Sequence, residues 1–351
     1  MCPCPESQQG QGDEADSEGR IRQEHGPSHA DGSELTPMEW LTPARALGAG
    51  VAVGLGLLAY ASLIERNAFT LRRVSIPVLE AGSSDITVLH MSDLHLAPWQ
   101  KSKRAWVASL AELKPDLIVN TGDNLGHPDA LAALRSAFAG FSGTPGVFVN
   151  GSNDYFAPEL KNPFQYLTGP SVQRREPRRL NTAALEGYLT DDLGWVNLNN
   201  TAARLNVDRR DLEFFGVDDP HRRFDRLDAM SVELDELREG APSRAAVSIG
   251  VAHAPYQRIL NAFILNGAEV IFAGHTHGGQ VCVPGVGALV TNCDLPRSMA
   301  KGLSKWTTGA RAAFLHVSAG LGTSIYAPVR FACRPEATLV TLTASPVATG
   351  A

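Results

Sequence analysis

Residues 86–95 read ITVLHMSDLH, an apolar run that leads directly into a serine, an aspartate and a histidine. Six residues rich in β-branched and large apolar side chains are typical of a buried strand, and the polar residues behind them predict a loop at its carboxyl end. Open α/β sheets place their ligand sites in such loops. Asp93 and His95 are therefore the first candidates for a functional site.

The same arrangement, an apolar run followed by polar residues, occurs five times along the chain. Each instance alone is also typical of a turn or of a structural histidine, so the repeated order carries the inference. Carboxylate, imidazole and amide groups are usual ligands of Mn, Fe or Zn, and because none of the five cysteines falls in these motifs, a structural thiolate zinc site is excluded there. The later instances are LIVNT before Asp123, GVFVN before Ser152, Asn153 and Asp154, VSIGVA before His253, and EVIFA before His275 and His277.

The wider pattern predicts the fold class. Strand candidates alternate with helical patterns at about 101–113 and 129–138, and further strand candidates cluster in the second half of the chain. This order indicates an α/β protein with two mixed sheets flanked by helices.

Together the motifs resemble the signature of the calcineurin-like metallophosphoesterase superfamily, which runs D-x-H, G-D-x, G-N-H-D/E, an isolated His and G-H-x-H. Here the pieces read DLH (93–95), GDN (122–124), GSND (151–154), His253 and GHTH (274–277). The resemblance covers about residues 85–343 and implies a four-layer α-β-β-α sandwich. It is strongest to the membrane-associated bacterial branch, which is similar to UDP-2,3-diacylglucosamine hydrolase-like phosphoesterases.

The resemblance also implies a site and a reaction. Two divalent or trivalent ions of the Mn, Fe or Zn type are expected, with hydrolysis of a phosphomonoester, phosphodiester or pyrophosphate bond by a metal-activated water. Asp123, Asn153 and Asp154 are the expected catalytic residues, and Asn124 and Tyr155 the expected substrate contacts. The expected ligands are Asp93, His95 and His277 for the first ion, Asp123 as the bridge, and Asn153, His253 and His275 for the second ion.

The GSND segment departs from the family pattern. Aligned without gaps, Ser152 replaces the family Asn and Asn153 replaces the family His. Either Ser152 takes the ligand position or a local shift lets Asn153 supply the amide oxygen, and both readings stay open. Since the family histidine is missing, an alternative function is a catalytically weakened metal-binding domain that binds phosphorylated ligands or lipid headgroups at the membrane.

Charge is distributed unevenly along the chain. The formal net charge is −6, and residues 1–40 hold nine acids and two bases, which leaves the remainder near neutrality. Residues 1–43 are therefore predicted to be a disordered acidic tail. The lack of a basic excess argues against a specific nucleic-acid partner, and nothing in the sequence indicates an obligate protein partner.

Residues 46–64 carry no charge and are long enough to span a bilayer. A transmembrane anchor over 44–66 is favoured over a signal peptide, because little basic sequence precedes the segment. A linker over 67–84 and a metallophosphoesterase domain over 85–345 follow from this division. Three arginines after the span against one before it favour a single-pass protein of the cell membrane with a cytoplasmic domain. The expected substrate is a phosphorylated small molecule or a lipid-linked one.

Secondary candidates for the site lie in two other loops. Asp218, Asp219 and His221 follow the strand candidate LEFFGV and either line the cleft or form a capped turn. His127 follows the GDN motif and is a weaker phosphate contact candidate. His90 and His316 fall within strand patterns and are predicted to be structural.

Overall fold

The computed structural model describes residues 42–159 and 177–346. Nearly all of the predicted acidic tail, with Cys2 and Cys4, lies outside the described residues. The described chain contains seven α-helices and fourteen strands. The helices are α1 Pro43–Ala59, α2 Lys101–Ser109, α3 Leu131–Phe138, α4 Ser152–Tyr155, α5 Thr182–Gly187, α6 Leu227–Glu239 and α7 Gln257–Leu265. The strands are β1 Thr70–Leu79, β2 Ile86–Met91, β3 Leu117–Asn120, β4 Gly146–Phe148, β5 Val196–Asn197, β6 Thr201–Val207, β7 Arg210–Gly216, β8 Val247–Ala252, β9 Val270–Ala273, β10 Cys282–Val283, β11 Gly287–Ala288, β12 Gly302–Thr308, β13 Arg311–Val317 and β14 Glu336–Ala344.

The N-terminal helical segment is exposed and apolar. Helix α1 continues through a π-helical turn and a 3₁₀ turn to Asn67, and the most apolar 18 residues of Pro43–Asn67 have a mean hydropathy of 2.0. Within the described residues this is the one helix long and apolar enough to cross a membrane.

Twelve of the strands form two mixed sheets of six strands each. The first sheet has the order β1-β14-β2-β3-β4-β5, in which β2, β3, β4 and β5 run parallel. The second has the order β12-β13-β9-β8-β7-β6, with β13, β9, β8 and β7 parallel. In the first sheet β14 runs antiparallel to β2, and in the second sheet the edge strands β12 and β6 run antiparallel to β13 and β7, so both sheets are mixed.

Alternation of side chains along the strands places one core between the sheets and one on each outer face. Val88 and Val119 point into the inner core with Phe214 and Ile249 of the second sheet. Their neighbours on β2 and β3 face the other way, against helices α2 and α3. Helices α6 and α7 cover the outer face of the second sheet. The result is the α-β-β-α layering that the sequence predicts.

One boundary differs from the sequence prediction. The segment 67–84, predicted as a linker, contains the ten-residue strand β1, which pairs in parallel with β14. Pro77 is tolerated because β1 is an edge strand with one unpaired side. Strand β1 is hard to predict because its pairing partner, β14, lies at the far end of the chain. The local sequence TLRRVSIPVL, with two adjacent arginines, does not have the pattern of a buried strand. Strand β12, helix α7 and the short hairpin β10–β11 are further elements that the sequence patterns do not predict.

Candidate metal centre

The carboxyl ends of the central strands bring the predicted loops together. Met91 at the end of β2 pairs in register with Asn120 at the end of β3, and Ala252 of β8 pairs in register with Ala273 of β9. The loops are also joined by main-chain hydrogen bonds: the Asp93 N–H donates to Gly122 O at 2.9 Å. The segments that carry the candidate ligands therefore emerge at one end of the sandwich.

The backbone of the candidate ligands is held in an unusual conformation. Five of them have positive φ in the left-handed region, which non-glycine residues rarely adopt. Such strain persists only when the surrounding structure over-determines it, and it clusters at functional sites. The five residues and their φ values are Asp93 at 49°, His95 at 39°, Asp123 at 54°, His275 at 68° and His277 at 50°.

Four of these side chains converge on one point. One ligand atom from each of Asp93, His95, Asp123 and His277 lies within 4.8 Å of all the others. The Nε2 atoms of His95 and His277 are 3.1 Å apart, and each lies 3.4 Å from a carboxylate oxygen, of Asp123 and Asp93 respectively. Two nitrogens bound to one cation at about 2.1 Å would lie about 3.0–3.4 Å apart, so this spacing fits a shared ion.

The hydrogen bonds of the histidines support the same conclusion. His277 Nδ1 faces the Gly322 carbonyl at 3.1 Å, which assigns its proton to Nδ1 and leaves Nε2 as a bare lone pair. His95 Nδ1 is buried without a hydrogen-bond partner. Burial lowers the pKa of both rings to about 4, so they are neutral at pH 7. Neutral imidazoles with inward lone pairs beside two carboxylates suit a divalent cation.

His253 and His275 flank this group on the side of the second sheet. His253 Nδ1 donates to the Thr121 carbonyl at 2.7 Å, and its Nε2, which lacks a hydrogen-bond partner, lies 3.5 Å from Asp123 Oδ2. The rings of His253 and His275 are 5.2 Å apart. Despite burial, which disfavours the charged ring, the facing Asp123 carboxylate raises the pKa of His253 well above its usual value. Asp123, a member of the group of four, thus faces both His95 and His253.

The segment GSND forms a single helical turn beside Asp123. The Asn153 main-chain N–H donates to Asp123 Oδ1 at 2.7 Å, while its side-chain amide donates to the Phe156 carbonyl at 3.3 Å. The Ser152 hydroxyl donates to the Asp219 carboxylate. A Cβ at Gly151 would collide with Asp123 Oδ1 and with the His253 ring, so only glycine allows this close approach.

Asp154, which the sequence predicts as catalytic, faces the backbone instead of the cavity. Its fully buried carboxylate accepts N–H groups from Asp123 and Asn124 at 2.8 Å and from Gly151 at 3.0 Å. Burial, together with the nearby Asp123 charge, raises the pKa of Asp154 to about 7. The geometry gives Asp154 a positioning role, because it fixes the loop that holds Asp123.

The two residues predicted as substrate contacts also point away from the cavity. The Asn124 amide pairs with Asn120 and is fully buried. The Tyr155 hydroxyl donates to Asp218 at 2.8 Å. Both side chains are turned into the protein because a loop residue's direction depends on its backbone angles, which the motif does not encode. His127 lies outside the cavity too, at the edge of the Trp99 ring.

A cavity of about 350 Å³ opens over the converging ligands. Ser152, Asn153, His221 and Arg222 border it together with the candidate ligands, whereas another part of its wall is apolar. The sequence patterns did not identify Arg222 as a cavity residue. The basic run HRR (221–223), which follows strand β7, is the sequence signal that could have indicated it. The sequence patterns also did not identify the apolar wall, which is formed by Val281, Leu289, Val290, Ala327 and Val329.

Arg330 is another residue without a sequence signal. It is fully buried and its Nη2 donates to the carbonyls of Ala319 and Gly322 at 2.7 Å. Since Gly322 in turn accepts from His277, Arg330 supports the orientation of that ring.

Residues 86–279 match the family model described as calcineurin-like phosphoesterase. The chain belongs to the calcineurin-like phosphoesterase family. Its members are generally hydrolases of phosphoesters, which fits a metal-ligand cluster at the strand ends. The family domain begins at strand β2 and ends just after the last candidate ligand, so it contains every motif of the predicted site.

Curated relatives of this calcineurin-like chain include a bovine protein and a bacterial one. The chain is 27% identical over 312 residues to a transmembrane protein with metallophosphoesterase domain from Bos taurus, covering 86% of this chain and 63% of that protein. It is 25% identical to the uncharacterized metallophosphoesterase YkuE of Bacillus subtilis, covering 85% of this chain and 92% of that protein.

Solved structures with similarity to this calcineurin-like chain are more distant. A dimetal phosphatase from Danio rerio matches 70% of this chain and 88% of its own, with 12% identity and a TM-score of 0.39. The NAD nucleotidase of Haemophilus influenzae matches 68% of this chain and 46% of its own, with 13% identity and a TM-score of 0.41.

Proposed function

We propose that this protein is a membrane-anchored phosphoesterase that hydrolyses a phosphomonoester, phosphodiester or pyrophosphate bond with a water activated by two metal ions. The observation that carries the proposal is the convergence of Asp93, His95, Asp123 and His277, whose ligand atoms lie within 4.8 Å of one another. His253 and His275, with an amide or hydroxyl from the GSND turn, complete the second position. Mn, Fe and Zn suit these donors.

Metal ions bound here would lower the pKa of a coordinated water and would offset negative charge on the phosphoryl oxygens. The chain's own residues hold and orient the site. Asp123 faces both histidine clusters, the Asn153 N–H fixes one of its oxygens, and the Asp154 carboxylate fixes its main chain. The Thr121 and Gly322 carbonyls set the tautomers of His253 and His277.

Arg222 is the proposed anion contact. Its half-buried guanidinium borders the cavity over the Phe156 ring at 4.3 Å, and its Nε has no hydrogen-bond partner. A planar cation with an unused donor beside the metal ligands suits a phosphoryl oxygen. The net formal charge of the domain is near zero. The positive charge of Arg222 and that of the metal ions therefore provide the attraction for an anionic substrate.

The missing family histidine affects which substrates are favoured. Asn153 cannot protonate a leaving group at neutral pH. A leaving group of low pKa, such as a phosphate or an aryl oxide, needs little help from an acid. We therefore expect pyrophosphate and aryl phosphodiester bonds to be cleaved faster than simple alkyl monoesters.

The proposed organisation places the acidic tail at 1–43, the anchor at 44–66 and the catalytic domain from there to 345. The apolar helix and the name of the bovine relative support a cell-membrane location. The cytoplasmic side of the domain and the similarity to UDP-2,3-diacylglucosamine hydrolase-like enzymes stay predictions.

The test is hydrolysis of bis(p-nitrophenyl) phosphate by the full chain in detergent with Mn²⁺. Asp123→Asn should lower kcat by about 10²–10³-fold or more, since it removes a charge that faces both clusters. The matched control is Asp129→Asn, because Asp129 is exposed and away from the cavity. Equal activity of wild type and Asp123→Asn would overturn the proposal.

The contact between Ser152 and Asp219 supports a second candidate function. With its hydroxyl engaged by Asp219, Ser152 offers a poorer ligand than an amide, and the second ion would be weakly held. The domain would then bind phosphorylated ligands or lipid headgroups without turnover. Metal-loaded protein that binds inorganic phosphate in calorimetry but lacks Asp123-dependent turnover would favour this function.

A further inference from the structure

The end of the apolar helix is attached directly to the catalytic domain. Ala61 O accepts the Arg330 N–H at 3.1 Å, and Glu65 Oε1 accepts the Cys333 N–H at 2.6 Å. The Tyr60 ring packs edge-on against Phe331. Because the charge-free stretch ends at Ile64, no spacer separates the apolar helix from the domain. The surface around residues 330–333 must therefore lie at the headgroup level if the helix spans a bilayer.

A hairpin pairs with this same segment. The Cys282 N–H donates to Phe331 O at 2.8 Å, and the Phe331 N–H donates to Gln280 O at 3.1 Å. The hairpin β10–β11 thus extends from a chain segment that already contacts the end of the apolar helix.

The hairpin is apolar and exposed. Residues 281–290 read VCVPGVGALV and contain no charged side chain. Val286 at the tip is 75% exposed, and Val281, Val283 and Leu289 are each about 40% exposed. Contiguous exposed apolar groups of this kind mark an interaction surface. Arg297 and Lys301 lie beside the hairpin and are exposed, as expected for bases that contact anionic headgroups.

The hairpin is also a wall of the cavity. Val281, Leu289 and Val290 line the cavity that His221 and Arg222 also border. Ala327 and Val329, from the segment that leads to Phe331, add to this apolar lining. The hairpin therefore contributes to the cavity and also pairs, at Phe331, with the segment that contacts the end of the apolar helix.

We propose that the Val281–Val290 hairpin is a second membrane contact beside the anchor, and that the cavity takes a phosphorylated amphiphile from the bilayer. Its phosphate lies toward Arg222 and the metal ligands, and its hydrocarbon chain lies along Val281, Leu289 and Val290. The membrane contact is independent of catalysis, whereas the substrate class rests on the proposed phosphoesterase function. A bilayer fits this surface because the hairpin pairs with the segment that contacts the end of the apolar helix, and because Arg297 and Lys301 flank it.

The membrane contact is tested on the full chain in nanodiscs that hold one copy each. Val286→Trp is compared with Val232→Trp, which replaces a 56% exposed valine on α6, a helix on the outer face of the second sheet. Brominated phosphatidylcholine should quench the fluorescence added by Val286→Trp by more than about half, as contact with acyl chains requires. The Val232→Trp signal should stay unquenched.

Equal quenching of the two tryptophans would overturn the membrane contact. A blue shift of Val286→Trp that needs two copies per disc would also overturn it, because a second copy of the chain would then cover the hairpin.

The substrate class is tested in Mn²⁺ with two phosphodiesters, ethyl p-nitrophenyl phosphate and dodecyl p-nitrophenyl phosphate. Both release p-nitrophenol by cleavage of the same ester bond and differ only in the alkyl chain. We expect kcat/KM to favour the dodecyl ester by about tenfold or more, mainly through KM, since even single buried methylenes discriminate at that level. Leu289→Glu should bring the ratio close to one, and Val232→Glu should retain the wild-type ratio.

The outcomes separate the two hypotheses. Equal hydrolysis of both esters by wild type would overturn the amphiphile substrate and leave the phosphoesterase function intact. Hydrolysis of neither ester would contradict the phosphoesterase function, while the quenching result would still decide the membrane contact.

Discussion

His95 and His277, which are 182 positions apart in the chain, hold their Nε2 atoms 3.1 Å from each other in the interior of the protein. Their rings are stacked, with centroids 4.9 Å apart. Each nitrogen also faces a carboxylate, so four ligand atoms with a strong preference for a cation are packed around a small volume. This packing predicts that a bound cation raises the free energy of unfolding.

A bound cation should stabilise the fold. At a metal concentration about 100 times Kd, binding adds about 2.7 kcal/mol to the free energy of unfolding. Chelation with EDTA should therefore lower the Tm of the wild-type full chain in detergent, and Mn²⁺ should restore it. His95→Gln/His277→Gln removes two proposed ligands of the first ion and should show a smaller response to EDTA than wild type, whereas His127→Gln, outside the cavity, should respond like wild type. An undiminished EDTA response in the double variant would contradict an ion shared by His95 and His277.

The GSND turn makes a prediction about metal stoichiometry. If Asn153 supplies the second position, Asn153→Ala should weaken binding of one of two ions by about tenfold or more, since loss even of supporting groups costs 10–100-fold. Ser152→Ala should keep both ions, because its hydroxyl is engaged by Asp219. Elemental analysis after gel filtration measures both. The reverse pattern would assign the ligand to Ser152, and unchanged stoichiometry in both variants would exclude this turn from the site.

Asp154 should contribute to folding stability and metal binding without touching the substrate. Asp154→Asn replaces a carboxylate that accepts three N–H groups by an amide with one acceptor oxygen, leaving buried donors unpaired. Each unpaired donor costs about 1–3 kcal/mol. We expect a fall of about that size in the free energy of unfolding by urea, and weaker metal binding. Asp129→Asn is the exposed control. An Asp154→Asn protein as stable as wild type would show that the carboxylate does not hold the loop.

The buried pair His90–His316 should make the protein acid-sensitive. Their Nδ1 atoms are 2.9 Å apart, and burial lowers the pKa of His316 to about 4 and that of His90 well below its usual value. Below pH 6.5 the unfolded chain binds protons that the folded chain does not, so stability is complete above that pH and falls as the pH decreases toward 4.

The expected loss is about 2 kcal/mol per ring between pH 7 and pH 5, from about 1.4 kcal/mol per pH unit. Urea unfolding of EDTA-treated protein across this range measures it. His316→Gln should reduce the slope by about one proton, and His127→Gln should not. An identical slope in wild type and His316→Gln would show that His316 is not the source.

The layered fold could be predicted because local periodicity reflects which faces are buried. Strands such as VSIGVA and ITVLHM, each buried on both faces between helices and the other sheet, read as continuous apolar runs. Strand β1 could not be predicted in this way. Arg72 and Arg73 are exposed at the sheet edge, and the stability of β1 comes from β14, which lies some 260 residues later.

The site shows the same division. The repeated apolar run followed by a polar loop predicts Asp93, His95, Asp123 and His277, which the structure brings together. Asn124, Tyr155 and Asp154 sit next to candidate ligands in sequence, but their side chains point away from the cavity. In a loop, one residue with positive φ reverses the direction of its neighbours, and such angles are set by packing.

The sequence by itself determined which chemical groups stand at the ends of which strands, because strand periodicity and ligand type are local properties. Only the tertiary structure decided which of those groups face one another, that Ser152 is engaged by Asp219, and that Val281–Val290 borders the cavity and pairs with the segment that contacts the end of the apolar helix. These relationships join segments 50 to 270 residues apart, and they form only when burial of the two sheets fixes all of the loops at once.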